Sequence, residues 1–385
     1  MKRVAILGAT GSVGRSTLRL LEHRSDAFEP VLLTAHRSTD ALLELAAAFS
    51  VQHISLAGFT GRSECEAALP AGVDVHFEAE GIIAGLEASE PDLVLNAITG
   101  AAGLAASAWT LTTGKRLLLA NKESLVAAGP LLRRLEREHG GKILPVDSEH
   151  AAIHQCLRGE RRQDLRRIIL TASGGPFRDL AQEEFADITI DQALRHPTWK
   201  MGPRITIGSA TLMNKAFEVV EAHYLFDLAP DDIDVVVHRQ SIVHSMVEFR
   251  DGSVLAQLGV PDMRVPILYC LGWPDRLEFD FQGFDLSRFA TLTFEQVDRR
   301  RFPALDLGYR CIREGGDSGA VLNAADEVAT QAFLDGKIDF VSITRTVDEV
   351  LRSHDTRQPE SVDDVLMTDA WARAEATNCI AQLSR

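Results

Sequence analysis

The chain has 385 residues, 45% of them hydrophobic and 25% charged, a balance that suits a folded globular protein of two or three domains and excludes a disordered one. A net charge of −15 argues against nucleic acid or an anionic membrane surface as a partner, while a local positive patch could still take a small anionic substrate. The five scattered cysteines form no CxxC pair and no run is long enough to span a membrane, so the expectation is a soluble protein of the reducing cytoplasm.

The first element, VAILGATGSVGRSTLRLLEH, reads as a buried strand, a glycine-rich turn and an amphipathic helix. Gly8, Gly11 and Gly14 are spaced GxxGxxG, which leaves backbone N–H groups at a helix N-terminus open to a pyrophosphate, with Thr10 and Ser12 offering hydroxyls. The second strand, Pro30–Ala35, runs into His36-Arg37-Ser38-Thr39 with no carboxylate before Asp40. Arg37 there suits a 2′-phosphate and hence NADP; a solvated surface arginine is the competing reading. Two further strands lie in Pro91–Gly100 and in the run from Lys115, whose end carries Asn121-Lys122-Glu123 directly before a helix. In an open α/β sheet that position faces the cofactor crevice, although helix capping would account for Asn121.

The run GKILPVDSEHAAIHQCL predicts an apolar strand with Asp147 and Glu149 at its end, projecting from one face. Two such acids repel one another unless a cation lies between them, and a divalent ion with oxygen ligands is the natural candidate. Solvated acids at a strand end are the alternative, and a third ligand from Glu218 or Glu221 would tip the balance. Next, RRIILTASGGPFRD predicts a strand whose Ser173-Gly174-Gly175 turn offers a hydroxyl and backbone amides to an oxyanion; a plain Gly-Pro turn would look the same.

In HPTWKMGPRITIGSATLMNKAFE, Trp199 and Met201 precede a Gly202-Pro203 turn and read as a lid over a ligand, with His196 at its base. A short β-like run follows, then a helix from Ser209 to Phe226 with Ser209 as its N-cap. Thr211, Asn214, Lys215, Glu218 and Glu221 recur at three- and four-residue steps on one face of it, ordinarily a solvent face. Beyond Trp273, residues 274–300 read as a linker, and Ala304–Arg313, Gly319–Leu334, Ser342–Arg352 and Thr368–Leu383 as helices of a small bundle.

The blocks GATGSVG, LLANKESLV, PVDSEH, LTASGGPFR, HPTWKMG, SATLMNKAFE and LNAADEVA, in that order and over essentially the whole chain, resemble the 1-deoxy-D-xylulose 5-phosphate reductoisomerase family. The resemblance implies an α/β fold: an NADPH-binding Rossmann-like domain over 1–147, a catalytic and dimerisation domain over 148–273 with a mobile lid loop, the linker 274–300, and a C-terminal four-helix bundle over 301–385. It implies NADPH- and Mg²⁺- or Mn²⁺-dependent isomerisation and reduction of a sugar phosphate by a homodimer.

Residue by residue, the resemblance makes Asp147, Glu149 and Glu218 the metal ligands and, with Lys215, the catalytic set. Ser148, Ser173, His196, Ser209, Asn214 and Lys215 become substrate contacts. Thr10, Gly11, Ser12, Val13, Arg37, Asn121, Lys122, Glu123 and Gly202 become cofactor contacts, and Trp199 and Met201 the lid. The sequence departs from the family pattern at Gly208, Ala151, Ala216-Phe217 and Arg239, none of them assigned to metal or substrate. A semialdehyde dehydrogenase would need an activated cysteine, which the setting of Cys156 does not suggest. An NADP-binding redox sensor would leave the carboxylates and phosphate cluster without a purpose.

Overall fold

The computed structural model describes residues 1–58, 72–195 and 202–383. The chain divides into two compact units, each assembled from more than one segment. Unit 1 comprises Met1–Asn121, Leu132–Asp147 and Met263–Phe279; unit 2 comprises Lys122–Leu131, Ser148–Asp262 and Asp280–Arg385. This division differs from the four-part order expected from the sequence. Residues 263–279 pack with the nucleotide-type sheet, and the C-terminal helices share a core with the middle of the chain.

Unit 1 is built on a seven-stranded sheet: β1 (Lys2–Leu7), β2 (Phe28–Ala35), β3 (His53–Leu56), β4 (Asp74–Phe77), β5 (Leu93–Asn96), β6 (Arg116–Leu119) and β7 (Lys142–Pro145). Every pairing is parallel, in the order β4-β3-β2-β1-β5-β6-β7. The central strands are buried on both faces, which is why they read as unbroken runs such as VAIL and LVLN rather than as alternating patterns. Between strands lie α1 (Ser12–His23), α2 (Thr39–Ala48), α3 (Glu80–Ser89) and α4 (Leu104–Thr112). Strand order reverses between β1 and β5, and such a switch point opens a crevice at the carboxyl ends of the strands.

The next helix, α5 (Lys122–His139), is broken at Ala128, two residues before Pro130, as expected where a proline removes a helical N–H. Unit 2 then carries α6 (Ser148–Cys156), α7 (Pro203–Thr211), α8 (Met213–Phe226) and a five-stranded sheet. In that sheet β8 (Leu165–Ala172) pairs parallel with β9 (Ile233–Val237) and antiparallel with β10 (Val243–Phe249). The edges are β11 (Val254–Leu258) on β10 and the two-residue β12 (Glu295–Gln296) on β9. The helix α9 (Arg264–Gly272) belongs to unit 1. The four predicted C-terminal helices are present as α10 (Ala304–Glu314), α11 (Ser318–Leu334), α12 (Phe340–Ser353) and α13 (Val362–Leu383). They pack around a core that also takes in Ile168, Leu170, Met213 and Val220.

Three local expectations change. The β-like run after Gly202-Pro203 is the helix α7: Pro203 occupies its first turn, where a missing N–H costs nothing, and Gly202 is its N-cap. Ser209 therefore lies in the last turn of α7 and is not a cap. Leu212, at φ +62°, breaks the chain between α7 and α8, which takes Thr211 off the shared helical face. Lastly, β7 ends at Pro145 and Ser148 opens α6, so Glu149 is presented by a helix and not by a strand.

Candidate active site

In unit 1 the turn after β1 has the geometry a pyrophosphate requires. Gly8 has φ +81°, and a Cβ on it would lie 2.7 Å from the Ala97 carbonyl oxygen beyond β5. A Cβ on Gly14 would lie 2.5 Å from the Gly8 oxygen and 2.6 Å from the Ala9 Cα, so a glycine there lets α1 approach β1. α1 begins at Ser12 behind an extended Gly11, with no side chain capping it, and Gly11 and Ser12 are exposed while Thr10 and Val13 are half-buried. Its first amides and the positive end of its dipole are thus available to an anion. Arg37 is exposed, two residues beyond the carboxyl end of β2. Asn121 is buried, with its side-chain amide donating to the Gly100 carbonyl (3.0 Å) and its backbone N–H to Asn96 (2.8 Å).

In unit 2 the charged face of α8 is buried. Lys215 is 4% exposed and Glu218 1% exposed, so neither is a solvated residue. The Lys215 ammonium donates to Glu149 Oε1 (2.9 Å), to the Thr171 carbonyl (2.6 Å) and to Glu218 Oε2. Glu218 Oε1 accepts from Lys122 Nζ (3.2 Å) and from the Asn214 amide (2.6 Å), while Lys122 also donates to Asn214 Oδ1 (3.1 Å). Glu149 Oε2 accepts from the Ser148 hydroxyl at 2.5 Å.

Burial alone would raise the Glu149 carboxyl, but Lys215, Lys122 and the Ser148 hydroxyl hold it down at about 2. The same contacts act in reverse on Lys215. Burial opposes its charge, yet Glu149 and Glu218 keep its ammonium above the ordinary lysine value. Behind this cluster His150 Nε2 donates to the Glu218 backbone carbonyl (2.9 Å), and its Nδ1 faces Glu221 at 3.3 Å, both side chains fully buried.

Asp147 is bonded to Ser148, so the covalent chain places it one residue before α6. Within unit 2, one carboxylate oxygen of Glu149 lies within 4.8 Å of one of Glu218. An octahedral Mg²⁺ with ligands at about 2.1 Å separates neighbouring ligand oxygens by roughly 3–4 Å, so this all-oxygen set fits a hard divalent ion. The turn after β8 comes close as well: Gly175, at φ +68°, would put a Cβ 2.6 Å from the Ser209 carbonyl oxygen. That approach brings the Ser173 turn and the end of α7 together, with Ser173 and Ser209 themselves half-buried.

Profiles of one family cover nearly the whole chain. The 1-deoxy-D-xylulose 5-phosphate reductoisomerase profile matches residues 4–129, its C-terminal domain profile residues 143–226, and the DXP reductoisomerase C-terminal domain profile residues 258–375. Curated relatives carry the same name: one from Exiguobacterium sibiricum is 47% identical over 97% of this chain and 98% of its own length, and one from Chlorobaculum tepidum is 46% identical over 99% and 100%. The Zymomonas mobilis enzyme solved in complex with NADPH superimposes with a TM-score of 0.92 at 42% identity, covering 98% of this chain and 99% of that one. A reductoisomerase structure with NADPH, fosmidomycin and magnesium gives 0.93 at 37% identity, with complete coverage of both chains. The chain belongs to the 1-deoxy-D-xylulose 5-phosphate reductoisomerase family.

Against that membership the predicted site divides. Glu149, Ser148, Asn214, Lys215 and Glu218 come together in unit 2, joined by Asp147 through the chain. The predicted cofactor trio separates: Asn121 supports the β5 switch point, Lys122 bonds Asn214 and Glu218, and Glu123 accepts from Arg204 (3.3 Å). Gly202 is exposed at the start of α7. His196, Trp199 and Met201 lie outside the described residues.

Sequence reasoning missed the Thr171 carbonyl that takes one Lys215 hydrogen, because a backbone oxygen on β8 leaves no mark in the residue type. It also missed the Glu221 contact with His150, although His150 directly follows Glu149 in the sequence. The departures from the family pattern are accommodated: Ala151 and Ala216 are fully packed, a Cβ at Gly208 would meet Asn214 at an ordinary 3.5 Å, and Arg239 forks onto Asp179 and Glu295.

Proposed function

We infer that this chain converts 1-deoxy-D-xylulose 5-phosphate into 2-C-methyl-D-erythritol 4-phosphate, a step of isoprenoid synthesis, using NADPH and a divalent metal. The observation that carries the site assignment is the buried lysine–carboxylate cluster on α6 and α8, next to an all-oxygen donor set. A carbon–carbon bond of the substrate migrates to give an aldehyde, whose carbonyl carbon then receives a hydride while its oxygen gains a proton. When bound, NADPH would supply the hydride, and Asp147, Glu149 and Glu218 would hold a divalent ion that would lend Lewis-acid stabilisation to the substrate's oxygens.

The remaining work falls to the side chains. Glu149, held down at about 2, is ionised at neutral pH and so available to a cation. Lys215 and Lys122 carry positive charge beside it, at hydrogen-bond distance from groups that fix their position before substrate arrives. Ser173, Ser209 and the amides of Gly174 and Gly175 form the candidate cradle for the phosphate. Binding energy spent on that unreactive end orients the reacting carbons. The decisive assay follows loss of NADPH absorbance on adding 1-deoxy-D-xylulose 5-phosphate, with and without Mg²⁺ or Mn²⁺. Turnover that ignores the metal, or none at all, would overturn this reading.

Among the described residues no helix is long and apolar enough to cross a membrane, and the free cysteines suit the cytoplasm as the compartment. A homodimer through β11 accounts for that edge strand, on which Val254, Leu255 and Leu258 are 49%, 42% and 40% exposed. An uncovered apolar edge is otherwise an aggregation template. Light scattering should give twice the chain mass, and Leu255→Asp should halve it; a monomeric native chain removes the proposal.

A further inference from the structure

Arg204, in the first turn of α7, is gripped from two other elements of unit 2 at once. Its Nη1 donates to Glu123 Oε1 at the start of α5 (3.3 Å) and to Glu327 Oε1 on α11 (2.7 Å). Its Nη2 donates to Asn323 Oδ1 on α11 (2.9 Å) and lies 3.8 Å from Asp326 Oδ2. Glu327 is itself held on its other oxygen by Arg373 of α13, which also bonds Asp369 at 2.5 Å. None of these residues touches the carboxylate cluster in the contacts described above. Yet Glu123 is adjacent in sequence to Lys122, whose ammonium bonds Asn214 and Glu218, and α7 carries Ser209 in its last turn, its carbonyl beside the Gly175 of the Ser173 turn.

We propose that Arg204 is a positioning residue for the reaction: by clamping the first turns of α5 and α7 to α11, it fixes Lys122 and Ser209 relative to Glu218. The inference rests on the function proposed above and gives the C-terminal helices a part in it. The geometry needs a guanidinium. A planar fork can present separate N–H groups to Glu123, Glu327 and Asn323, whereas an ammonium at the end of a flexible stem is a single compact charge. Loss of the fork would let α5 and α7 drift by fractions of an ångström, enough to weaken substrate orientation without removing any group that touches substrate.

The test separates positioning from general stabilisation by comparison with Arg310. That residue bonds Glu314 and Asp348 and the Leu351 carbonyl among the C-terminal helices and lies outside the clamp. Steady-state constants and Tm are measured for Arg204→Met, Arg204→Lys, Glu327→Gln and Arg310→Met. Arg204→Met should lower kcat/KM for the sugar phosphate about tenfold to a hundredfold, the range typical of residues that orient ligand-bearing groups, with the NADPH Kd unchanged. Arg204→Lys should recover Tm but not kcat/KM, and Glu327→Gln should shift kcat/KM in the same direction by less.

Arg310→Met should lower Tm with kcat/KM within about twofold of the native value, the scatter of a surface substitution. The proposal is overturned if Arg204→Met matches Arg310→Met in kcat/KM at equal loss of Tm, or if lysine restores kcat/KM. A native enzyme without metal-dependent turnover would instead overturn the parent reading and this inference together.

Discussion

The two units hold their chemistry in different materials. In unit 1 the turn proposed to take the cofactor is made of backbone: Gly8 and Gly14 matter because they lack a Cβ, and α1 offers N–H groups and a dipole. In unit 2 the site is made of side chains taken out of water, where Lys215 and Glu218 sit nearly unexposed and bond each other. A backbone site tolerates changes in most surrounding side chains and fails when atoms are added. A buried ionic site fails when a partner is removed, because the survivor keeps its charge without compensation.

Glu218→Gln should break the second kind of site most severely. Lys215 and Lys122 would each lose an anionic partner, and the donor set would lose one charge. Metal-dependent turnover should fall at least about a hundredfold, beyond what loss of a mere outer-shell contact costs, and stability by about 3–5 kcal/mol, the usual cost of orphaning a buried charge. NADPH binding by fluorescence titration should be unchanged. Near-normal turnover would remove Glu218 from the ligand set.

Gly14→Ala probes the first kind. The new methyl would meet the Gly8 carbonyl and the Ala9 Cα, both backbone atoms that cannot rotate aside. The expected cost is about 1–3 kcal/mol of stability, as for overpacking elsewhere, together with a clear rise in the NADPH Kd. Mn²⁺ binding, read by calorimetry, should stay as it is. If Gly14→Ala weakened Mn²⁺ binding as much as Glu218→Gln does, the contrast between the units would be false.

The same contrast explains what the sequence disclosed. Glycine spacing after a four-residue apolar run is a local pattern, so the β1–turn–α1 unit and the parallel sheet were legible from residues alone. The cluster draws on three segments, with Lys122 and Glu218 96 residues apart; the residues alone left Glu218 and Glu221 as alternatives, and only the resemblance to a family chose between them. Where local rules did mislead, they did so at backbone breaks. The period of polar residues through Thr211 and Asn214 ignored Leu212, a non-glycine residue in a left-handed conformation. The acids Asp147 and Glu149 were read on a strand because nothing in VDSEH marks where β7 stops and α6 starts. Arg204 gave no signal at all: its acceptors are 81 residues away on α5 and 119 and 123 residues away on α11, and a Gly-Pro-Arg turn looks like surface.

Arg37 tests whether unit 1 relies anywhere on a side chain. An exposed guanidinium past β2 can fork onto the 2′-phosphate, and Arg37→Met should raise the NADPH KM about tenfold, a change of about 1.4 kcal/mol. The NADH KM should not move, since that cofactor lacks the phosphate. Equal effects on both cofactors would assign Arg37 to the surface and leave unit 1 a purely backbone site.

The smallest expected effect is a pH dependence in unit 2, at Asp326. Burial pushes its carboxyl up to about 6, against the pull of Arg204, while the charges of Glu327 and Glu123 add to the rise. In the unfolded chain the same group titrates near the ordinary aspartate value of about 3.9. The folded state therefore binds this proton more tightly, so its contribution to stability is complete below about pH 4 and is lost as pH rises through about 6.

Asp326→Asn removes the titration and leaves Arg204 its three closer acceptors. At pH 8 the variant should melt above the native protein by about 2–4 °C, roughly 1 kcal/mol for a chain of this size. At pH 4.5 that advantage should vanish, because there the native carboxyl is already neutral. A Tm difference that is the same at both values would mean Asp326 stays ionised in the fold. Unit 2 would then tolerate a buried charge that Arg204 alone faces.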